Sequence, residues 1–223
     1  MLKQLLFTYL LALVIALPAR AMSVLPLYMD EIVNDAAIAF QGKALEDHSE
    51  RDPQTGSIVT YSTFEVQEVL KGEVGATHTI KQIGGKIQGG INQITGVPTF
   101  TVGESYILFL YGVSASGFSS PVGLEQGKFN IIPVSKGFHV TNGRDFKEMT
   151  LGIPDHLVPP SALTKMRKAP GPIKRLDLDE FKQLVRQQRE PLNDMPENHA
   201  RVYSWGVNHV CGFYVCWWPV GGL

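Results

Sequence analysis

The run Tyr106-Ile107-Leu108-Phe109-Leu110-Tyr111, held between Gly103 and Gly112, constrains this chain most. A strand points successive side chains to opposite faces, and this run has no polar face to offer water. It therefore predicts a central strand covered on both sides. The neighbouring segments supply the rest of a sheet. "AAIAFQGKALED" reads as a strand leaving the core at its polar end, and "HSERDPQTG" as a turn-rich loop after it. In "SIVTYSTFEVQEVLKG", Phe64 and Val66 alternate with Thr63, Glu65 and Gln67, the period of a half-buried strand. Adjacent Val69 and Leu70 break that alternation and predict a bulge or strand end, with Lys71-Gly72 turning the chain. "THTIKQIGGKIQGG" runs from a strand into glycines, "VGLEQGKFNIIPV" adds a fifth strand, and "GFHVTNG" a further one. The 22 glycines and 14 prolines suit such a turn-rich β protein.

Helical signals flank this β region. Leu25, Tyr28, Met29, Ile32, Val33 and Ala36 follow the spacing of an amphipathic helix, with Pro26 in its first turn. After Leu151 the texture changes. Pro154, Pro159, Pro160, Pro170 and Pro172 punctuate a stretch carrying Lys165, Arg167 and Lys168, which reads as an extended wrap or linker. A helix over 177–189 follows. Asp177 caps it, Glu180 stands where a capping box needs it, and Leu176 and Phe181 stand where a hydrophobic staple would. Leu178, Phe181, Leu184 and Val185 form its apolar face. The tail 201–218 reads as an aromatic β-hairpin around Gly206 to His209.

The first residues address the compartment. Lys3, an apolar run from Leu5 to Leu17, Pro18 and the pattern Ala19-Arg20-Ala21 form the layout of a secretory signal peptide cleaved near Ala21. The apolar core is shorter than the ~20 residues that span a bilayer, so a membrane anchor is the lesser reading. Residues 1–21 are thus expected to be removed, leaving a secreted or periplasmic chain with no transmembrane segment. Losing Lys3 and Arg20 takes the formal charge from −1 to −3, which gives no basic face for nucleic acid.

Catalytic patterns are scarce. There is no G-x-S-x-G elbow and no H-E-x-x-H motif; "GVSASGFSS" spaces its serines and glycines as a loop would. His48, His78, His139, His156, His199 and His209 are scattered singly. "IGGKIQGG" lacks the G-K-[ST] of a phosphate loop, and its glycines are expected to allow a tight bend or close strand approach. The carboxylates Glu46, Asp47, Glu50 and Asp52 could hold calcium, but their spacing is not that of an EF-hand and Arg51 sits among them. A solvated hairpin loop is the simpler reading. The chain is therefore expected to be non-enzymatic, with no cofactor and no metal.

The only two cysteines, Cys211 and Cys216, lie in the tail. In an exported protein disulfides persist, and C-x4-C is not the C-x-x-C of redox enzymes. A bridge needs Cα atoms within roughly 7 Å. On one extended strand the pair would lie roughly 16 Å apart, so a bridge requires the chain to reverse between them. Free buried thiols and an intermolecular bridge remain open, as does a His209, Cys211, Cys216 metal site with His199 as a fourth ligand. Trp205, Phe213, Tyr214, Trp217 and Trp218 are candidate partner contacts, because large aromatics dominate interface energetics. The competing reading packs them on the sheet.

The order of "LPLYMDEIVNDA", "AIAFQGKALE", "YSTFEVQEVLKG", "IGGKI", "VGESYILFLYG" and "LEQGKFNI" resembles the netrin-like domain, the OB-fold module shared with tissue inhibitors of metalloproteinases. Bacterial secreted proteins carry the same module. The likeness covers Leu27 to Val134. It implies a five-stranded OB-like barrel with a short N-terminal helix within 22–150. The segment 151–223 lies outside the likeness and is expected, from its own residues, to be a C-terminal extension with one helix and an aromatic hairpin, which leaves the fold mainly β. The likeness also implies a binding role for a protein partner such as a secreted metalloprotease; a second copy of the chain is the other partner expected. Those inhibitors chelate zinc through an N-terminal cysteine; here the expected mature start is Met22-Ser23, so that mechanism has no residue to act through. The alternative role is a cell-envelope structural or assembly protein that pairs through its tail.

Overall fold

Three bulges shape the longest hairpin of the chain. In the computed structural model, which describes residues 25–189, β1 (Ile38–Arg51) and β2 (Ile58–Lys71) pair along their whole lengths. The register slips where Leu70 and Gln67 of β2 and Leu45 of β1 have no opposite residue. Each slip bends the pair and tightens its twist. The bulge expected at Val69 and Leu70 is present: Leu70 is buried while Val69 is 40% exposed. Lys71 leads into Gly72 with φ of 73°, where a Cβ would stand 2.7 Å from the Ala37 carbonyl oxygen, so only glycine makes this turn unstrained.

β3 (Thr77–Ile83) pairs with β2, and β6 (Ser105–Leu110) pairs with the other edge of β1. β7 (Lys128–Val134), β8 (Gly137–Thr141) and the two-residue β9 (Leu176–Asp177) complete an antiparallel sheet of order β3-β2-β1-β6-β7-β8-β9. The fold is mainly β, as expected, with seven strands in this sheet rather than five. The glycine-rich stretch forms a separate hairpin, β4 (Gly85–Ile87) with β5 (Gly90–Asn92). Its glycines do permit close approach: a Cβ on Gly85 would collide with the hydroxyls of Ser49 and Thr60.

The sheet curls on itself. Segment 119–122 lies beside the end of β6, with Leu110 paired to Pro121 and the Val122 amide donating to the Phe109 carbonyl at 2.8 Å. The Ser119 amide also donates to the Lys81 carbonyl of β3 at 3.0 Å. In a flat sheet four strand spacings of about 4.8 Å would separate these groups by roughly 19 Å. Their contact therefore requires β3, β2, β1 and β6 to bend around a common interior. That interior holds Phe40 and Ala44 of β1, Phe64 of β2, Ile80 of β3 and Tyr106, Leu108 and Leu110 of β6, with Phe100 closing one side. Gly42 also faces inward, directly opposite Tyr106, and leaves room for the Phe40 ring.

The other face of the sheet carries a second apolar layer. Ala39, Leu70, Ile107, Phe109, Phe129 and Val140 meet helices α1 (Met29–Asp35), α2 (Phe146–Met149), α3 (Pro160–Lys168) and α4 (Leu178–Gln187). Residues 106–110 of β6 are buried throughout and divide between the two layers, so the central, doubly covered strand is found. One apolar cluster thus contains residues from both sides of position 150.

Four local readings are corrected. The "HSER" segment continues β1 instead of forming a loop, because Ser49 and Glu50 find partners in Thr60 and Val59. Helix α1 begins at Met29, after Pro26, and Glu31 reaches back to accept from the Tyr28 amide at 2.7 Å. The proline-punctuated stretch is not an open linker: Pro160 opens α3, where a missing amide costs nothing, and Val158, Ala162 and Met166 are buried. In α4, Asp177 caps by accepting from the Asp179 amide at 2.9 Å, but Glu180 pairs with Lys165 Nζ at 2.8 Å instead of closing a capping box. Phe181, Leu184 and Val185 are buried and Leu178 packs beside them, as the pattern predicts. Among the described residues no helix is long and apolar enough to cross a membrane.

Candidate functional site

Beyond the helical layer, the outer face of β1, β2 and β3 is bordered by loops instead of helices. Past the Leu45 bulge, His48, Tyr61 and Lys81 stand opposite one another across the three strands. Two loops converge there: the turn 52–57 that joins β1 to β2, and the loop 113–119 after β6. Together they border a cavity of about 350 Å³ lined by Asp52, Pro53, Gln54, Tyr61, Thr79, Lys81, Ser116 and Gly117.

Lys81 and Asp52 lock these loops. The Lys81 ammonium donates to Asp52 Oδ1 at 2.9 Å and to the Ser116 carbonyl at 3.1 Å, and lies 4.5 Å from the Phe118 ring centre. Asp52 Oδ2 accepts from the Thr55 hydroxyl at 2.7 Å and the Thr55 amide at 3.2 Å. Lys81 is 8% exposed and Asp52 is 2% exposed. A buried pair of this kind holds only while both members remain, because either alone would be an uncompensated buried charge. The hydrogen bond from Lys81, then that from Thr55, holds the Asp52 carboxyl below its ordinary range. The loop 113–119 is braced further. Ser114 accepts from the Phe118 amide through its hydroxyl at 3.0 Å, and its own amide donates to the Phe118 carbonyl at 2.8 Å.

The ammonium bonds two acceptors beside the Phe118 ring and the carboxylate accepts from three donors, so the pair ties the two loops together. The cavity's remaining polar groups are Gln54, Thr79, Tyr61 and Ser116. Thr79 shares a hydrogen bond with the Thr63 hydroxyl at 2.8 Å. The Tyr61 ring stacks on His48, with centroids 5.4 Å apart and planes inclined by 22°. His48 Nδ1 in turn lies 3.2 Å from Glu46 Oε1.

The acidic stretch read as a calcium candidate disperses along β1. Glu46 meets His48, Asp47 accepts from the Ser62 hydroxyl, and Asp52 meets Lys81. Among the described residues no group of three or more histidine, cysteine or acidic side chains could hold a metal ion. His78 is half-buried with its ring 5.4 Å from that of Phe40, and burial pushes its pKa down. Cys211, Cys216, Trp205, Phe213, Tyr214, Trp217 and Trp218 lie outside the described residues, as do His199, His209, the signal segment and the hairpin 201–218. Sequence reasoning reached Asp52 only as part of an acidic loop and missed Lys81 and Tyr61. A cation at an outward strand position was the one visible sign, and its partner stands 29 residues away.

Neither the protein-family models nor the curated proteins compared with this chain match it.

Proposed function

We propose that the chain is an exported, non-catalytic protein-binding module built on an OB-like barrel. The curled sheet supports the barrel reading: β3, β2, β1, β6 and segment 119–122 follow one another around a single interior and return to β3. The likeness to netrin-like domains supports the binding role, and the signal-peptide pattern supports export. The observation that carries the reading is the Lys81–Asp52 clamp. It holds two loops in fixed positions at one end of a β scaffold, with Val113 64% exposed beside them. Loops fixed in advance lose little conformational freedom on binding, and exposed loops on a rigid scaffold are where recognition residues concentrate. A metalloprotease partner would have to be engaged by such loops or by the aromatic tail, because the expected mature start at Met22-Ser23 offers no cysteine to reach its zinc.

The test is capture. The full chain, immobilised, is exposed to envelope and culture-supernatant proteins of its native host, and retained proteins are identified by mass spectrometry. A specific partner lost from the Val113→Glu variant supports loop-mediated binding. Retention that survives Val113→Glu but not removal of 201–223 moves recognition to the tail and favours the assembly role. If nothing is retained above a control surface, the protein-binding reading fails.

A further inference from the structure

The slot beside Tyr61 has an asymmetry that points to a particular kind of ligand. His48, on β1, covers one face of the Tyr61 ring. The cavity lies on the opposite side, where β3 and the two clamped loops supply its walls. Because β3 and β1 lie on opposite sides of β2, the Tyr61 ring borders the cavity on the side away from the His48 stack. The cavity also has uncharged hydrogen-bonding groups in its wall: the exposed side chains of Gln54, Thr79 and Ser116. The only charges in the wall, Lys81 and Asp52, are buried and neutralise each other at 2.9 Å.

A flat aromatic face with neutral donors and acceptors around it suits a ring whose faces are C–H and whose edges are hydroxyl. The partly negative face of the aromatic ring attracts C–H groups, and hydroxyl and amide side chains complete the edges. A volume of about 350 Å³ is at the small end of ligand cavities, enough for a sugar ring or two. A nucleobase would also stack on Tyr61. Its phosphates, however, would meet Glu46, Glu50 and Glu65, all exposed on the same face of the sheet, with only Lys43 opposite Glu65 to offset them. A cationic side chain would find those carboxylates outside the slot but no free anion within it.

We propose that this slot binds one neutral pyranose ring of an oligosaccharide, stacked on Tyr61 and hydrogen-bonded by Gln54, Thr79 and Ser116. The slot is walled by the same two loops on which the protein-binding reading rests, but that reading is tested through Val113 and the tail, so the two can fail independently.

The experiment uses the full chain and three sets of probes: the neutral trisaccharides chitotriose and maltotriose, an arginine hexapeptide and a thymidine hexanucleotide. Binding is read by saturation transfer from protein to ligand and by titration calorimetry. At least one trisaccharide is expected to bind. Tyr61→Ala should weaken it by about tenfold, while Tyr61→Phe, which keeps the ring, should change it by less than about threefold. Gln54 is exposed and joins no core, so Gln54→Ala keeps the fold and should weaken binding several-fold. Thermal melts of each variant separate lost binding from lost structure. The proposal is overturned if neither trisaccharide binds, or if binding is indifferent to both Tyr61→Ala and Gln54→Ala. It is overturned equally if only the hexapeptide or the hexanucleotide binds in a Tyr61-dependent manner.

Discussion

Phe181→Ala measures whether the segment beyond position 150 is part of the main folding unit. Phe181 sits on α4 with no exposed surface. Its ring lies 4.7 Å from that of Phe129 on β7, 5.9 Å from Phe146 on α2 and 6.4 Å from Phe109 on β6. Removing it takes most of roughly 200 Å² of apolar surface from the core, or about 5 kcal/mol at 25 cal/mol per Å². Neighbours recover part of that by collapsing inward, so a loss of about 3–5 kcal/mol is expected. At a few degrees per kcal/mol for a chain of this size, the melting temperature should fall by roughly 10 °C. Urea unfolding followed by far-UV circular dichroism, with amide exchange on β6 as a second probe, supplies the measurement. Both probes should move together. A loss below about 1 kcal/mol, or a helical transition that shifts while β6 amides keep their protection, would refute the idea that one core joins the sheet to α4.

Gly42→Val should cost about 2 kcal/mol in urea, because the added Cβ would lie 2.9 Å from the Phe40 ring and 3.0 Å from the Glu65 carbonyl oxygen. Glu68 joins α4 to β2 through Lys182 at 2.6 Å and Arg186 at 2.5 Å. Burial works to raise its carboxyl, yet the two cations hold it below the usual range. Because the group is partly exposed, Glu68→Gln should cost no more than about 1 kcal/mol at neutral pH and nothing once the pH falls below the depressed carboxyl value. Asp52 is depressed in the same direction, so the clamp's contribution is present above the unfolded carboxyl value and is lost in acid as Asp52 protonates. Asp52→Asn should flatten the acid limb of a stability profile; an unchanged limb would mean the clamp is not under load. His78 is held neutral by burial, so stability should fall as the pH drops below about 6.5, where the unfolded chain takes up the proton first. In His78→Phe that part of the pH profile should vanish.

The elements whose neighbours are close in the chain were legible. Residues 106–111 announced a doubly covered strand because apolar residues fill both faces. Asp177 announced a cap, and Val69-Leu70 a bulge, through patterns that span a few residues. Two misreadings have opposite origins. The end of β1 looked like a loop because His48 to Arg51 are polar, and its stability comes from pairing with Ile58 to Tyr61 rather than from burial. Helix α3 was hidden because Pro159 and Pro160 read as breakers, although a proline at a helix start breaks nothing. The slot was the least legible part. It joins Asp52, Tyr61, Lys81 and Ser116, which only the curl of the sheet brings together.

That curl has a kinetic side. The path from β3 round to β6 is joined by ladders, but segment 119–122 meets β6 through an isolated bridge at Leu110 and Pro121, and the ring closes where the Ser119 amide meets the Lys81 carbonyl. A seam held by one backbone bond and an ion clamp should open far more often than the ladders beside it. The Ser119 amide would then exchange its hydrogen through brief local partings, while Leu108, paired to Phe40, exchanges only when the whole molecule unfolds. Such partings would be the moments at which the interior around Phe64 and Ile80 meets water, giving the protein a breathing line along β3 rather than a uniformly rigid wall.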